Sequence, residues 1–163
     1  MDSVLSTLLA TNANAKTDES ARNLVAECLG LLTVLDASLL LPVLERMLSD
    51  RSDKLSLRTA THALRAALSS RSLSAEVLAS LRDVLLRFLP LLREEELEVK
   101  RAALQLVNTA AHHHPRLVHA HIAQTVFPVL LETLAIKKER TVDLGPFKHK
   151  VTDSLSASYH IML

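Results

Sequence analysis

Apolar residues recur at helical spacing through most of the chain, and the spacing changes character once. Ala21, Leu24, Val25, Cys28, Leu29 and Leu32 fall at i, i+3, i+4, i+7, i+8 and i+11, which is one face of a helix. Asp36 is placed to cap a following helix with the stripe Leu40, Val43, Leu44, Met47 and Leu48, and the short link between them makes an antiparallel pair. A second pair carries Leu57, Ala60, Leu64, Ala67 and Leu68 behind a cap at Asp53, then Leu78, Leu81, Leu85, Phe88 and Leu92, with Pro90 expected to kink or end the helix. The third pair begins with Val99, Ala102, Ala103, Leu106, Val107 and Ala110, is broken by Pro115, and continues with Ile122, Val126, Val129, Leu130 and Leu134, with a kink expected at Pro128. Ahead of these pairs, Met1 to Ala10 reads as the end of a helix and Thr11 to Asp18 as a polar loop.

Ala21, Leu57 and Val99 are equivalent anchors separated by 36 and 42 residues, each followed by a basic residue, Arg22, Arg58 and Lys100. Two-helix units with a period of roughly 40 residues predict an all-α fold, a HEAT/armadillo-like α-solenoid of about three helix pairs. Periodicity alone leaves a closed four-helix-type bundle open.

Helical spacing stops at Thr141 to Val151. Val142 and Leu144 alternate with Thr141 and Asp143, and after Gly145-Pro146 the residues Phe147, His149 and Val151 alternate with Lys148 and Lys150. A Gly-Pro pair between two such runs is a turn signal, so the segment predicts a β-hairpin protruding near the carboxy terminus. With a two-residue turn, Leu144 faces Phe147, Asp143 faces Lys148 and Val142 faces His149. A longer loop shifts that register. A lone hairpin is marginal in water, so its apolar face needs the helices of the chain or another protein.

The 163 residues carry a net charge of +1 with the two signs interspersed, and 48 % are hydrophobic. That balance gives no strong attraction for nucleic acid or a membrane surface. Phe88, Phe127, Phe147 and Tyr159 are too scattered to stack bases. No apolar run approaches the ~20 residues of a membrane span, and the amino terminus makes a poor signal peptide, which together predict a soluble intracellular protein.

Candidate chemistry is sparse. His112, His113 and His114, then His119 and His121, lack ligand spacing within one uninterrupted helix, since Pro115 separates the groups. They read as a solvated helix end and loop. Cys28, the single cysteine, reads as a small buried filler. No nucleophile elbow or phosphate-cradling glycine loop is present in the sequence. Glu94, Glu95, Glu96 and Glu98 read as the solvated start of a helix, and Lys137, Lys138 and Arg140 as a solvated helix end that also flanks the hairpin. The expectation is a protein that is not an enzyme and uses no metal or cofactor.

Three stretches carry a resemblance: Ser20 to Gly30 (SARNLVAECLG), Val99 to Pro115, and Leu144 to Leu155 (LGPFKHKVTDSL). They resemble the carboxy-terminal HEAT repeats of the cullin-associated, neddylation-dissociated (TIP120) family, and the likeness runs from about Thr17 to Leu155. The resemblance implies a non-enzymatic cullin-binding module, part of an exchange factor for cullin–RING ubiquitin ligases. Its partner would be a cullin–RING ligase core with an unneddylated cullin, bound in competition with a substrate-receptor adaptor, in cytoplasm and nucleus. Leu144, Gly145, Pro146, Phe147, Lys148 and His149 become the partner-binding residues.

Family members are several times longer, so control of neddylation is not implied, and a separate chain carrying the missing repeats is a further partner. The expected organisation is a single HEAT-repeat segment, 1–163, with helical repeats over 1–136, the hairpin over 137–153 and a divergent tail over 154–163. Ser156 to Leu163 leaves the family pattern, which reads as a fragment, a split-gene product or an altered reading frame. The alternative function is a truncated repeat fragment or general interaction scaffold.

Overall fold

Four polar side chains start four helices. The carboxylate of Asp18 accepts from the backbone N–H of Ala21, Asp36 from that of Leu39 and Asp53 from that of Ser56, and the hydroxyl of Ser74 accepts from Val77. Each satisfies an amide that a helix start leaves without an intrahelical partner. The computed structural model describes residues 2–14, 18–70, 73–135, 137–144 and 147–154. Its helices are α1 (Asp2–Ala13), α2 (Glu19–Leu35), α3 (Ala37–Ser49), α4 (Lys54–Leu68), α5 (Ala75–Phe88), α6 (Leu97–His113), α7 (Pro115–His121) and α8 (Phe127–Ala135). The chain divides into two units, Met1–His119 and Ala120–Leu163.

In the first unit α4 packs against both α2 and α6, while α3 packs against α5, and α2 against α3. This is stacking of helix pairs in two layers, one of first helices and one of second helices, as in an α-solenoid. The shared middle helix has the driest face: Leu57, Ala60, Ala63, Leu64, Ala67 and Leu68 are all at 0 % exposure. Each large aliphatic side chain buried this way contributes roughly 1.5–3 kcal/mol. The six predicted core positions of α6, from Val99 to Ala110, are all buried. Pro90 falls where α5 gives way to a 3₁₀ turn, Leu89–Arg93, whose Leu91 and Leu92 are buried. Pro42 lies inside α3, where it removes the N–H that would bond the carbonyl of Ser38.

Two local expectations need correction. The first helix extends through Thr11, Asn12 and Ala13, because Asn12 is held from across the layer: it is 3 % exposed and its Oδ1 accepts from the hydroxyl of Thr59 at 2.6 Å. On α2 the buried face is Val25, Ala26, Leu29, Gly30 and Thr33, rotated from the expected stripe, with Leu24 61 % exposed and Cys28 only half-buried. The rotation puts small residues against α4. A Cβ on Gly30 would stand 2.5 Å from the Ala63 carbonyl oxygen and 2.6 Å from the Ala66 Cβ. At Pro128 the chain inserts a π-helical stretch, Ile122–Val126, in which the Phe127 N–H bonds the Ile122 carbonyl five residues back. Pro128 has no N–H for the carbonyl four residues earlier, and the widened turn lies just ahead of it.

The second unit contains α8, with Val129 buried and Leu131 exposed, and two strands, β1 (Lys137–Leu144) and β2 (Phe147–Ser154). They pair antiparallel from Lys137 opposite Ser154 to Leu144 opposite Phe147.

Candidate functional site

Of the residues that the sequence singles out for partner contact, Leu144, Phe147, Lys148 and His149 lie in the β1–β2 pair. Leu144 is opposite Phe147, Asp143 opposite Lys148 and Val142 opposite His149. That register brings Leu144, Phe147, Lys148 and His149 within three successive rungs of one ladder. Gly145 and Pro146 lie outside the described residues, as do residues 155–163, which cover most of the expected tail.

The other candidate groups are dispersed. His112 and His113 are exposed at the end of α6, their rings edge to face at 5.0 Å. His114 is half-buried, with Nε2 3.1 Å from the Leu68 carbonyl oxygen, which ties the α6 end to the α4 end. Among the described residues no three His, Cys, Asp or Glu side chains come together as a metal site. No described helix is long and apolar enough to cross a membrane.

The acidic run is not simply solvated. Glu94 accepts from Lys54 Nζ at 2.8 Å and from Arg51 Nη1 at 3.2 Å, and its side chain is 19 % exposed. The Lys54 ammonium, with Arg51 beyond it, holds this carboxyl below the usual carboxylate range. The link joins the start of α4 and the residues just ahead of it to the segment before α6, a connection that sequence spacing does not encode. One of the recurring basic residues has a similar role. Arg58 on α4 lies 3.0 Å from Glu19 on α2 and 4.0 Å from Glu98 on α6, so one guanidinium spans three successive first helices.

Beside that guanidinium is a polar cleft of about 120 Å³ lined by Glu19, Arg22, Asn23, Arg58, Thr59 and His62. Burial, aided by Arg65 and Arg58, pushes the His62 imidazole below its ordinary range and favours its neutral form. In the cleft Arg58 is matched to Glu19, Arg22 donates to the Asn14 carbonyl, and the Thr59 hydroxyl is committed to Asn12. This arrangement is suited to holding repeats in register rather than to bond chemistry.

No protein-family model matches this chain. Curated relatives do. The chain is 38 % identical over 141 residues to the Drosophila melanogaster protein named Cullin-associated NEDD8-dissociated protein 1, a match covering 85 % of this chain and 11 % of that protein. It is 34 % identical over 140 residues to the Dictyostelium discoideum protein of the same name, again 85 % of this chain and 11 % of the relative. It is 35 % identical over 141 residues to the Emericella nidulans protein named Cullin-associated NEDD8-dissociated protein 1, C-terminal part, covering 85 % of this chain and 13 % of the relative. The chain thus spans about a tenth of the length of these relatives, whose names denote association and dissociation rather than a reaction. Across the matched 140 or so residues, this helical segment belongs to the family of cullin-associated NEDD8-dissociated proteins.

Proposed function

We propose that the chain is a non-enzymatic cullin-binding module, the part of a cullin–RING ligase exchange factor that competes with substrate-receptor adaptors. The observation that carries the reading is the similarity, across 85 % of the chain, to several proteins named for their association with cullins. Stacked helix pairs supply an extended surface suited to a large partner. The strand pair supplies a compact contact, in which Leu144, Phe147, Lys148 and His149 meet the partner, together with Gly145 and Pro146 of the same segment. The partner is an unneddylated cullin, met in cytoplasm and nucleus, and a separate chain carrying further repeats adds to the contact.

The reading is supported by the way the site is divided. Leu144 and Phe147 form one rung and can supply apolar anchors, while Lys148 and His149 follow directly and can supply charge and hydrogen bonds. Replacing Leu144 and Phe147 together with serine is expected to weaken cullin binding at least tenfold, because anchor residues carry most of an interface's energy. Helix content by circular dichroism stays unchanged. Undiminished affinity of the double variant contradicts the role of the strand pair.

A further inference from the structure

A groove elsewhere on the first unit has a chemistry of its own. It lies between α3 and α5, has a volume of about 520 Å³, and is floored by Leu41, Pro42, Val77 and Val84, with Leu35 at its edge. Leu41 and Val84 are buried at 7 % and 3 % exposure, so the floor is fixed by the core, whereas Leu35 stands 76 % exposed. Leu31, one turn earlier on the same side of α2, is 61 % exposed. The rim carries Asp36, Glu45, Glu76 and Asp83, and no lysine or arginine lines the groove. In a chain whose net charge is +1, four carboxylates around one apolar trough are a local reversal of sign.

Two of the acids serve their own helices: Asp36 caps α3, and Glu76 lies in the first turn of α5. Glu45 and Asp83 lie farther along and have no such role. Glu45 already takes an arginine, with Arg87 Nη1 2.9 Å from its Oε2. Asp83 touches only its sequence neighbour Arg82, at 3.3 Å, where both side chains are more than half exposed and the pair contributes little. The lining runs from residue 37 to 45 on α3 and from 76 to 84 on α5. At 1.5 Å per residue this is a trough of roughly 12 Å, two turns of helix or about four extended residues.

We propose that this groove is a docking site for a short basic segment of a partner protein, with one or two aliphatic anchors for the Pro42–Val77 floor and the Leu35 edge and flanking lysine or arginine for Glu76 and Asp83. Charge complementarity selects this occupant: an acidic segment would meet like charges along the rim, whereas a basic one would meet Glu76 and Asp83, the latter held only by an exposed and weak pair with Arg82. The inference does not rest on the cullin reading, because its observations are the lining and the charge of this groove.

The test uses the whole chain and a short helical peptide of leucine and lysine, with the same peptide bearing glutamate in place of lysine as control. The lysine peptide is expected to bind, to weaken as salt rises, and to shift backbone amide resonances of residues 35–45 and 76–84. Asp83→Lys with Glu76→Lys, and separately Leu35→Ser at an exposed position, are each expected to weaken it about tenfold or more while thermal unfolding remains cooperative. Absence of binding, equal binding of the glutamate peptide, shifts confined to other residues, or full affinity in both folded variants overturns the proposal.

Discussion

Gly30 of α2 lies so close to Ala63 of α4 that a single added carbon would stand 2.5 Å from the Ala63 carbonyl oxygen. Gly30 carries no left-handed conformation to protect, so its requirement is space. Gly30→Ala gains about 1 kcal/mol in helix propensity. It also forces α2 and α4 apart along a contact made of small residues, and such overpacking costs typically 1–3 kcal/mol. The expected outcome is a net loss of up to roughly 2 kcal/mol in urea unfolding. The same substitution at an exposed helical position would show the opposite sign.

The Glu94 bridge predicts a pH dependence with a definite direction. Its carboxyl is held below the ordinary value of 4.5 by Lys54 and then Arg51, so the folded state favours the charged form. The stabilisation is therefore complete above the unfolded value and is lost as pH falls through the lower folded one. Glu94→Gln is expected to lower stability at neutral pH by about 0.5–1 kcal/mol, the screened value for partly exposed partners. The difference from wild type is expected to shrink as pH falls below 4.5 in paired urea titrations.

His62 predicts a second dependence, in a different window. Burial first, then Arg65 and Arg58, depress its protonation below the ordinary 6.5. The unfolded chain therefore binds the proton more readily, so stability is full above 6.5 and falls as pH drops through it. His62→Gln is expected to flatten the stability profile between pH 7 and 5, and the wild-type imidazole proton resonance to titrate below pH 6.5. A midpoint above 6.5 contradicts the placement of His62 among cations.

How much of this was legible in the sequence depended on what did the packing. On α6, aliphatic residues and alanines form the contact face, and their spacing marked all six buried positions. On α2 the close contact uses Ala26, Gly30 and Thr33, which a hydrophobic pattern ranks low, so the stripe was drawn through Leu24 instead. The end of α1 was hidden because it depends on Thr59, which meets Asn12 only after the layers form. Alternation covers Thr141 to Leu144 of β1 and Phe147 to Val151 of β2 but misses Lys137 to Arg140, which read as a helix end and lie in β1; the binding role proposed for this segment rests on resemblance. The Glu94 and Arg58 links join residues some 40 positions apart, beyond the reach of any local pattern.

The central claim is that this segment binds a cullin on a surface shared with the adaptor. The most direct test is titration of the whole chain against an unneddylated cullin–RING core, alone and with a substrate-receptor adaptor already bound. The account predicts saturable binding to the free core and an apparent affinity at least tenfold weaker when adaptor is present. Failure of the folded chain to bind the core, or equal affinity with and without adaptor, contradicts it.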